Sequence, residues 1–185
     1  MNVYDFDKTI YGSDCTLDFW RYCIRRYPRT LKTLLFTLFA ATAHVCGFYS
    51  KEQFKETFYR FLKYVPDVGN AVRCFWDAHE SRICAWYLEQ RETEDLIISA
   101  SPEFLISEIC ARLEIRYIAS RVDPLTGKLE SPNCAGEEKV NRLLAEYPGA
   151  KIDQFYSDSV TDTPLARLAS QAYLVKDNKA VRWRF

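Results

Sequence analysis

The chain has 185 residues, 48% of them apolar, and its 25 basic and 25 acidic side chains balance to zero. That size suits one α/β domain, or a modest core carrying a smaller insert, and the zero balance argues against a general nucleic-acid binder. The balance is uneven locally: no acidic residue lies between Asp18 and Glu52, where Arg21, Arg25, Arg26, Arg29, Lys32 and Lys51 are all basic.

The first stretch, Asn2–Phe6, reads as a short buried strand because Val3, Tyr4 and Phe6 are β-branched or aromatic. Asp5 and Asp7, one residue apart, fall on the same face of a regular strand. Two carboxylates that close repel unless a proton or a metal sits between them. Ligands of open α/β sheets lie just beyond the carboxyl edge, where this pair and Thr9 fall. The plain alternative is a strand running into a solvated acidic turn.

After a turn at 10–14, helical periodicity takes over in Cys15–Tyr27, and Pro28 interrupts it. Leu31–Tyr49 is strongly apolar, with Lys32 its only charge; its length approaches a bilayer span, but Thr33, Thr37, Thr42 and His44 dilute it. Three readings stand: a buried or partner-facing helix, a membrane-surface helix, or a true span. Lys51–Tyr64 is amphipathic, with Phe54, Phe58, Phe61 and Leu62 on one face. After a break at 66–69, Val72–Arg91 reads as one further helix. Residues 14–91 are thus a helical insert between two strands, too long for a simple crossover.

The second strand, Asp95–Ile98, ends at Ser99-Ala100-Ser101-Pro102, with Ser101 as helix cap and Pro102 at the first helical position. A strand end with small residues before a helix start suits an oxyanion, though an ordinary βα loop looks the same. Arg116–Ala119 is a third strand, and Arg121–Ser131 a hairpin around Pro124-Leu125-Thr126-Gly127. A helix from Glu137 to Tyr147 carries Lys139 in its first turn, a poor place for a cation unless an anion faces it. The fourth strand, Ile152–Tyr156, leads to Asp158 and Asp162; a short helix, a strand at Ala172–Val175, a turn at 176–179 and Val181–Phe185 complete the chain. Carboxylate oxygens gathered at one sheet edge suit a hard cation such as Mg²⁺.

Seven cysteines (Cys15, Cys23, Cys46, Cys74, Cys84, Cys110 and Cys134) show no Cys-x-x-Cys spacing. They fit neither a zinc site nor a disulfide framework, so buried free thiols in a reducing compartment are expected. No secretion signal precedes the first strand, and a cytoplasmic location is expected. His44 and His79 sit in apolar helical runs and read as structural.

Asp5-Phe-Asp7-Lys-Thr9, Ser99 with Ala100 and Ser101, Lys139, and Asp158-x-x-x-Asp162 together resemble, in order, the four motifs of the haloacid dehalogenase superfamily phosphatases. The insert, with Asn133-Cys134-Ala135-Gly136-Glu137-Glu138-Lys139 and Tyr156-Ser157-Asp158-Ser159, is similar to the phosphoserine-phosphatase-like branch, in particular the bacterial phosphatidylglycerophosphatase C group. The resemblance implies an α/β Rossmann-like core with a mostly parallel sheet over 1–13 and 92–185, and an inserted α-helical cap over 14–91. Lys8 stands where many members have Gly, a minor departure if only the backbone is special there.

The resemblance also implies the chemistry. Asp5 would be the nucleophile that forms an aspartyl-phosphate, and Asp7 the general acid and base. Ser99, the Ala100 N–H and Lys139 would bind phosphate. Mg²⁺ would be held by Asp5, the Asp7 carbonyl and Asp158, with Asp162 in the metal group directly or as its support. In phosphoserine phosphatases a Glu shortly after the first motif contacts the substrate amine, and Asp14 stands at the comparable place. The expected substrate is a lipid phosphate such as phosphatidylglycerophosphate or a small polar phosphate such as phosphoserine, with peripheral membrane contact or a homodimer through the cap. Transfer to an alcohol rather than water stays open, as does a non-catalytic phospho-ligand binder, which would not need the nucleophile.

Overall fold

In the computed structural model, which describes residues 1–184, six strands form one sheet in the order β3-β2-β1-β4-β5-β6. They are β1 (Val3–Tyr4), β2 (Leu96–Pro102), β3 (Arg116–Ser120), β4 (Ile152–Ser157), β5 (Ala169–Lys176) and β6 (Lys179–Arg182). β1 to β5 run parallel, and only β6, paired with β5, is antiparallel. β1 is central and wholly buried, which its unbroken apolar composition requires of a strand covered on both faces. Val3 stands opposite both Leu96 and Phe155, and the Asp5 N–H donates to the Tyr156 carbonyl at 2.8 Å. This register brings the carboxyl ends of β1, β2 and β4 together. β2 slips register against β3 between Ile98 and Pro102, so Ser99-Ala100-Ser101 bulges at that edge.

The helices are α1 (Cys15–Arg26), α2 (Leu34–Val45), α3 (Lys51–Tyr59), α4 (Val68–His79), α5 (Ala85–Gln90), α6 (Glu103–Arg112), α7 (Glu137–Glu146) and α8 (Thr163–Ala166). Within 14–91, α4 and α5 lie against the sheet. Trp76 meets Phe6 edge-on at 5.9 Å and donates its indole N–H to the Leu105 carbonyl, while Tyr87 meets Tyr4 at 5.0 Å. α2 and α3 lean on each other farther out, with His44 stacked on Phe54 at 5.7 Å. Phe19 joins the layers through Phe61 and Phe75, so the aromatic core runs from sheet to insert without a gap. The 121–131 hairpin crosses back onto α3. Gly127, at φ +74°, lies so close that a Cβ there would sit 2.7 Å from the Tyr59 carbonyl oxygen.

Several elements differ from the periodicity. The apolar run 31–49 begins as a tight 3₁₀ segment, Pro28–Thr33, and leaves α2 only 12 residues long. No helix among the described residues is long and apolar enough to cross a membrane, which removes the spanning reading. The expected helix over 72–91 is two, α4 and α5, because the backbone between them serves the turn after β1. Gly12 N–H donates to Arg82 O, and Cys84 N–H to Ile10 O. β2 runs on to Pro102, so Ser101 belongs to the strand end and does not cap α6. The end of Val181–Phe185, Phe185, lies outside the described residues.

Candidate active site

The carboxyl edge of β1, β2 and β4 collects the residues singled out in the sequence. Asp5 follows β1 and is buried; its Oδ1 accepts from Lys139 Nζ at 2.7 Å. Lys139 Nζ donates also to Asp162 Oδ2 at 2.7 Å, and the Ser157 hydroxyl donates to that oxygen at 2.8 Å. Lys139 is 1% exposed. Gly136 at φ 59° opens α7 three residues earlier and turns the first helical residues toward the sheet edge. The anion expected opposite this ill-placed cation is thus two carboxylates.

Burial pushes the Asp5 carboxyl up to about 7, against the opposing pull of the Lys139 ammonium. Burial works to lower Lys139, but Asp5 and Asp162 overcome it and hold the ammonium above its ordinary value. Lys139 is therefore a fixed positive charge at neutral pH.

Asp7, half-buried, lies past the strand end. Its Oδ1 accepts from the Cys15 N–H at 2.7 Å and its Oδ2 from the Ser101 hydroxyl. Burial first, then the charge of Asp14, raise its pKa to about 6, offset by the hydrogen bonds from Cys15 and Ser101. A carboxyl poised there can both give and take a proton near neutral pH. Lys8, directly after Asp7, has φ 54°, a left-handed backbone that glycine adopts without strain and other residues only rarely. Thr9 accepts the Asp158 N–H on its hydroxyl at 3.0 Å, tying the β4 loop to the β1 loop. Burial raises the Asp158 carboxyl, which lies within hydrogen-bonding reach of Asp5.

Ser99 is buried, and its Oγ accepts the Ser101 N–H at 3.0 Å, which leaves its own proton free to donate. Asp14 sits beside Asp7 and caps α1, its Oδ1 accepting from Leu17 N–H at 2.9 Å.

Three groups at the site had little voice in the sequence. Lys55, from α3 in the insert, donates to the Ala100 carbonyl at 2.7 Å and to the Asn133 side chain. Burial and the neighbouring Lys51 lower its pKa to about 8. Ser120 donates to the same Ala100 carbonyl at 2.9 Å, and its Oγ accepts the Cys134 N–H. Ser101, in the small-residue run, turns its hydroxyl to Asp7.

Among the described residues no three His, Cys, Asp or Glu side chains converge as a ready metal cage. Mg²⁺ does not need one, because it keeps several waters and uses one or two carboxylates. Asp5 and Asp158 offer hard oxygen donors side by side. Asp5 and Asp162 share the buried Lys139 ammonium between them. The donor set fits Mg²⁺. Asp162 Oδ2 is already taken by Lys139 and Ser157.

The family model of haloacid dehalogenase-like hydrolases matches residues 3–167. Among solved structures, a Bordetella pertussis Tohama I protein of unknown function is similar with TM-score 0.74 at 18% identity, covering 94% of this chain and 88% of that one. A probable phosphoserine phosphatase from Vibrio cholerae is similar with TM-score 0.68 at 11% identity, over 92% of this chain and 55% of that one. A phosphoserine phosphatase solved as a phospho-aspartyl intermediate analogue gives TM-score 0.55 at 18% identity, over 93% and 84%. No curated protein sequence matches the chain.

Proposed function

The chain belongs to the haloacid dehalogenase-like hydrolases, and from that membership we propose that it is a Mg²⁺-dependent phosphatase that splits phosphate monoesters through an aspartyl-phosphate on Asp5. The observation that carries this reading is the buried Asp5–Lys139–Asp162 array at the sheet edge, with Asp7 two residues beyond. A protein that only bound phosphate would gain nothing from burying a nucleophile there.

Lys139 fixes one oxygen of Asp5. A carboxylate oxygen of Asp5 attacks phosphorus, the P–O bond to the substrate alcohol breaks, and Asp7 hands the leaving oxygen its proton. Water then gives a proton to Asp7 and attacks the same phosphorus, which releases inorganic phosphate and restores the Asp5 carboxylate. Ser99 Oγ–H, the Ala100 N–H and Lys139 hold the phosphoryl oxygens as charge redistributes. Mg²⁺ bound by Asp5, the Asp7 carbonyl and Asp158 would neutralise the charge that an anionic nucleophile meets on an anionic substrate. Asp162 acts through Lys139.

A lipid phosphate is the favoured substrate class, supported by the apolar, basic-flanked α2 of the insert. A small polar phosphate is the second reading, supported by Asp14 and Lys55 beside the site and by the phosphoserine phosphatases among the similar structures. Phosphate release with Mg²⁺ from phosphoserine, a generic aryl phosphate and phosphatidylglycerophosphate in detergent decides between them, with Asp5→Asn as control. Release by the Asp5→Asn protein at the wild-type rate would remove the nucleophile assignment. A folded protein that releases phosphate from none of the three would favour the binder.

A further inference from the structure

α2 carries its side chains inside out. Its buried stripe is Thr37, Ala40 and Ala43, continued backward by Thr33. Thr37 satisfies its hydroxyl on the Thr33 carbonyl at 3.1 Å, so small side chains face the fold without an unmet polar group. On the opposite side Leu35, Phe36, Leu38, Phe39 and Val45 are 55–85% exposed, and Phe48 just beyond is 82% exposed. A surface helix ordinarily presents the reverse arrangement to water. Apolar patches of this extent mark a surface that something covers.

The charges around the patch say what covers it. Beside Phe36 opens a cavity of about 300 Å³ lined by Lys32, Arg60, Lys63 and Lys128. Glu56 is the one acid on its wall, and its Oε1 is engaged by the Leu129 N–H at 3.1 Å. Lys32 also lies 5.9 Å from the centre of the Tyr64 ring, at the same rim. An apolar helix face edged by cations is complementary to an anionic lipid surface, whose acyl boundary accepts the rings and whose phosphates accept the ammonium groups. A two-fold pair of chains joined through this face would set like charges against one another. The 12 residues of α2 suit a helix lying in the interface.

We propose that α2 seats the protein on an anionic lipid surface, with Leu35, Phe36, Phe39 and Phe48 entering the headgroup boundary and the Lys32–Arg60–Lys63–Lys128 cavity holding lipid phosphates. α3 lies behind this surface, and its Lys55 reaches the candidate active site. One helix therefore separates the docking face from the chemistry. The proposal concerns where the protein sits and stands apart from what it hydrolyses.

The test is co-sedimentation of the full chain with vesicles of phosphatidylcholine alone, or with roughly one third phosphatidylglycerol, at low and high salt. Binding is expected on the anionic vesicles only, falling with salt. It should weaken about tenfold or more in Leu35→Ser/Phe39→Ser and, separately, in Lys32→Gln/Lys63→Gln. These positions are exposed, and circular dichroism checks that both variants fold. Absence of binding, or equal binding to neutral vesicles, overturns the proposal. So does a solution dimer that Leu35→Ser/Phe39→Ser dissociates, which would make a second copy the occupant. Vesicle binding is read without turnover, so its failure and that of the phosphatase reading are told apart.

Discussion

Lys139 and Asp162 meet at 2.7 Å with both side chains buried, and Asp5 approaches the same ammonium at 2.7 Å. Removing the cation leaves two buried carboxylates with no counter-charge. Lys139→Met is therefore expected to cost about 3–5 kcal/mol of stability at neutral pH. In the variant the Asp5 carboxyl, which burial already raises, loses the ammonium that opposes that rise, so the penalty shrinks as falling pH protonates it. Urea unfolding at about pH 7 and about pH 5 checks this. A variant no less stable than wild type at the higher pH would mean that the array is not buried as described.

Asp158 bears on metal affinity. Its backbone is held by Thr9, so Asp158→Ala removes a carboxylate while leaving the loop tied. Weaker Mg²⁺ activation and a lower rate are expected together, by about tenfold or more. Calorimetric titration of Mg²⁺ into both proteins provides a readout without turnover. An unchanged titration would take Asp158 out of the metal group.

Lys55 pins the Ala100 carbonyl from the insert, and Ser120 pins it from the core. The same peptide unit presents the Ser101 N–H to Ser99 Oγ. Lys55→Met should loosen the loop that presents Ser99 and lower kcat/KM about 10–100-fold. Lys55→Arg should recover part of the loss, because a guanidinium can still reach a carbonyl. Steady-state kinetics on a soluble aryl phosphate separates KM from kcat; equal values for all three proteins would reduce Lys55 to packing.

Asp18 is buried away from the site, between Arg21 at 3.1 Å, Arg82 at 2.8 Å and the Tyr11 hydroxyl at 3.1 Å. Burial acts to raise its carboxyl, but hydrogen bonds from Ser13 and Tyr11 and the two arginines outweigh that and hold it below its ordinary value. A depressed folded pKa contributes stability above the unfolded value of about 3.9, lost as pH falls through the folded one. Asp18→Asn should cost about 1–3 kcal/mol at neutral pH and flatten the acid limb of the stability curve below about pH 4. Thermal denaturation across that range is the check.

The parts of the site written in local pattern were the legible ones. Two acids one residue apart at the end of the first strand, and a lysine in the first turn of α7, are each confined to a few residues, and strand ends supplied the rest, although β1 stops at Tyr4 and the acids lie in the turn beyond it. Contacts that span the chain left no such mark. Lys55 meets Ala100 45 residues away, and Ser101 meets Asp7 94 residues away; in the sequence one is a charge on an amphipathic helix and the other a helix cap. The same limit explains the helices. Nothing in the apolar spacing of 72–91 announces that residues 82–84 spend their backbone groups on the turn at 10–12.

Gly127 presses its backbone onto Tyr59 so closely that even a methyl group would collide, and Glu56 accepts the Leu129 N–H beside it. The hairpin from the core thus bolts α3 in place, and Lys55 adds a second fastening at Ala100. Any movement of α3 away from the sheet edge therefore has to give up both fastenings together, the Gly127–Tyr59 contact and the Lys55–Ala100 hydrogen bond.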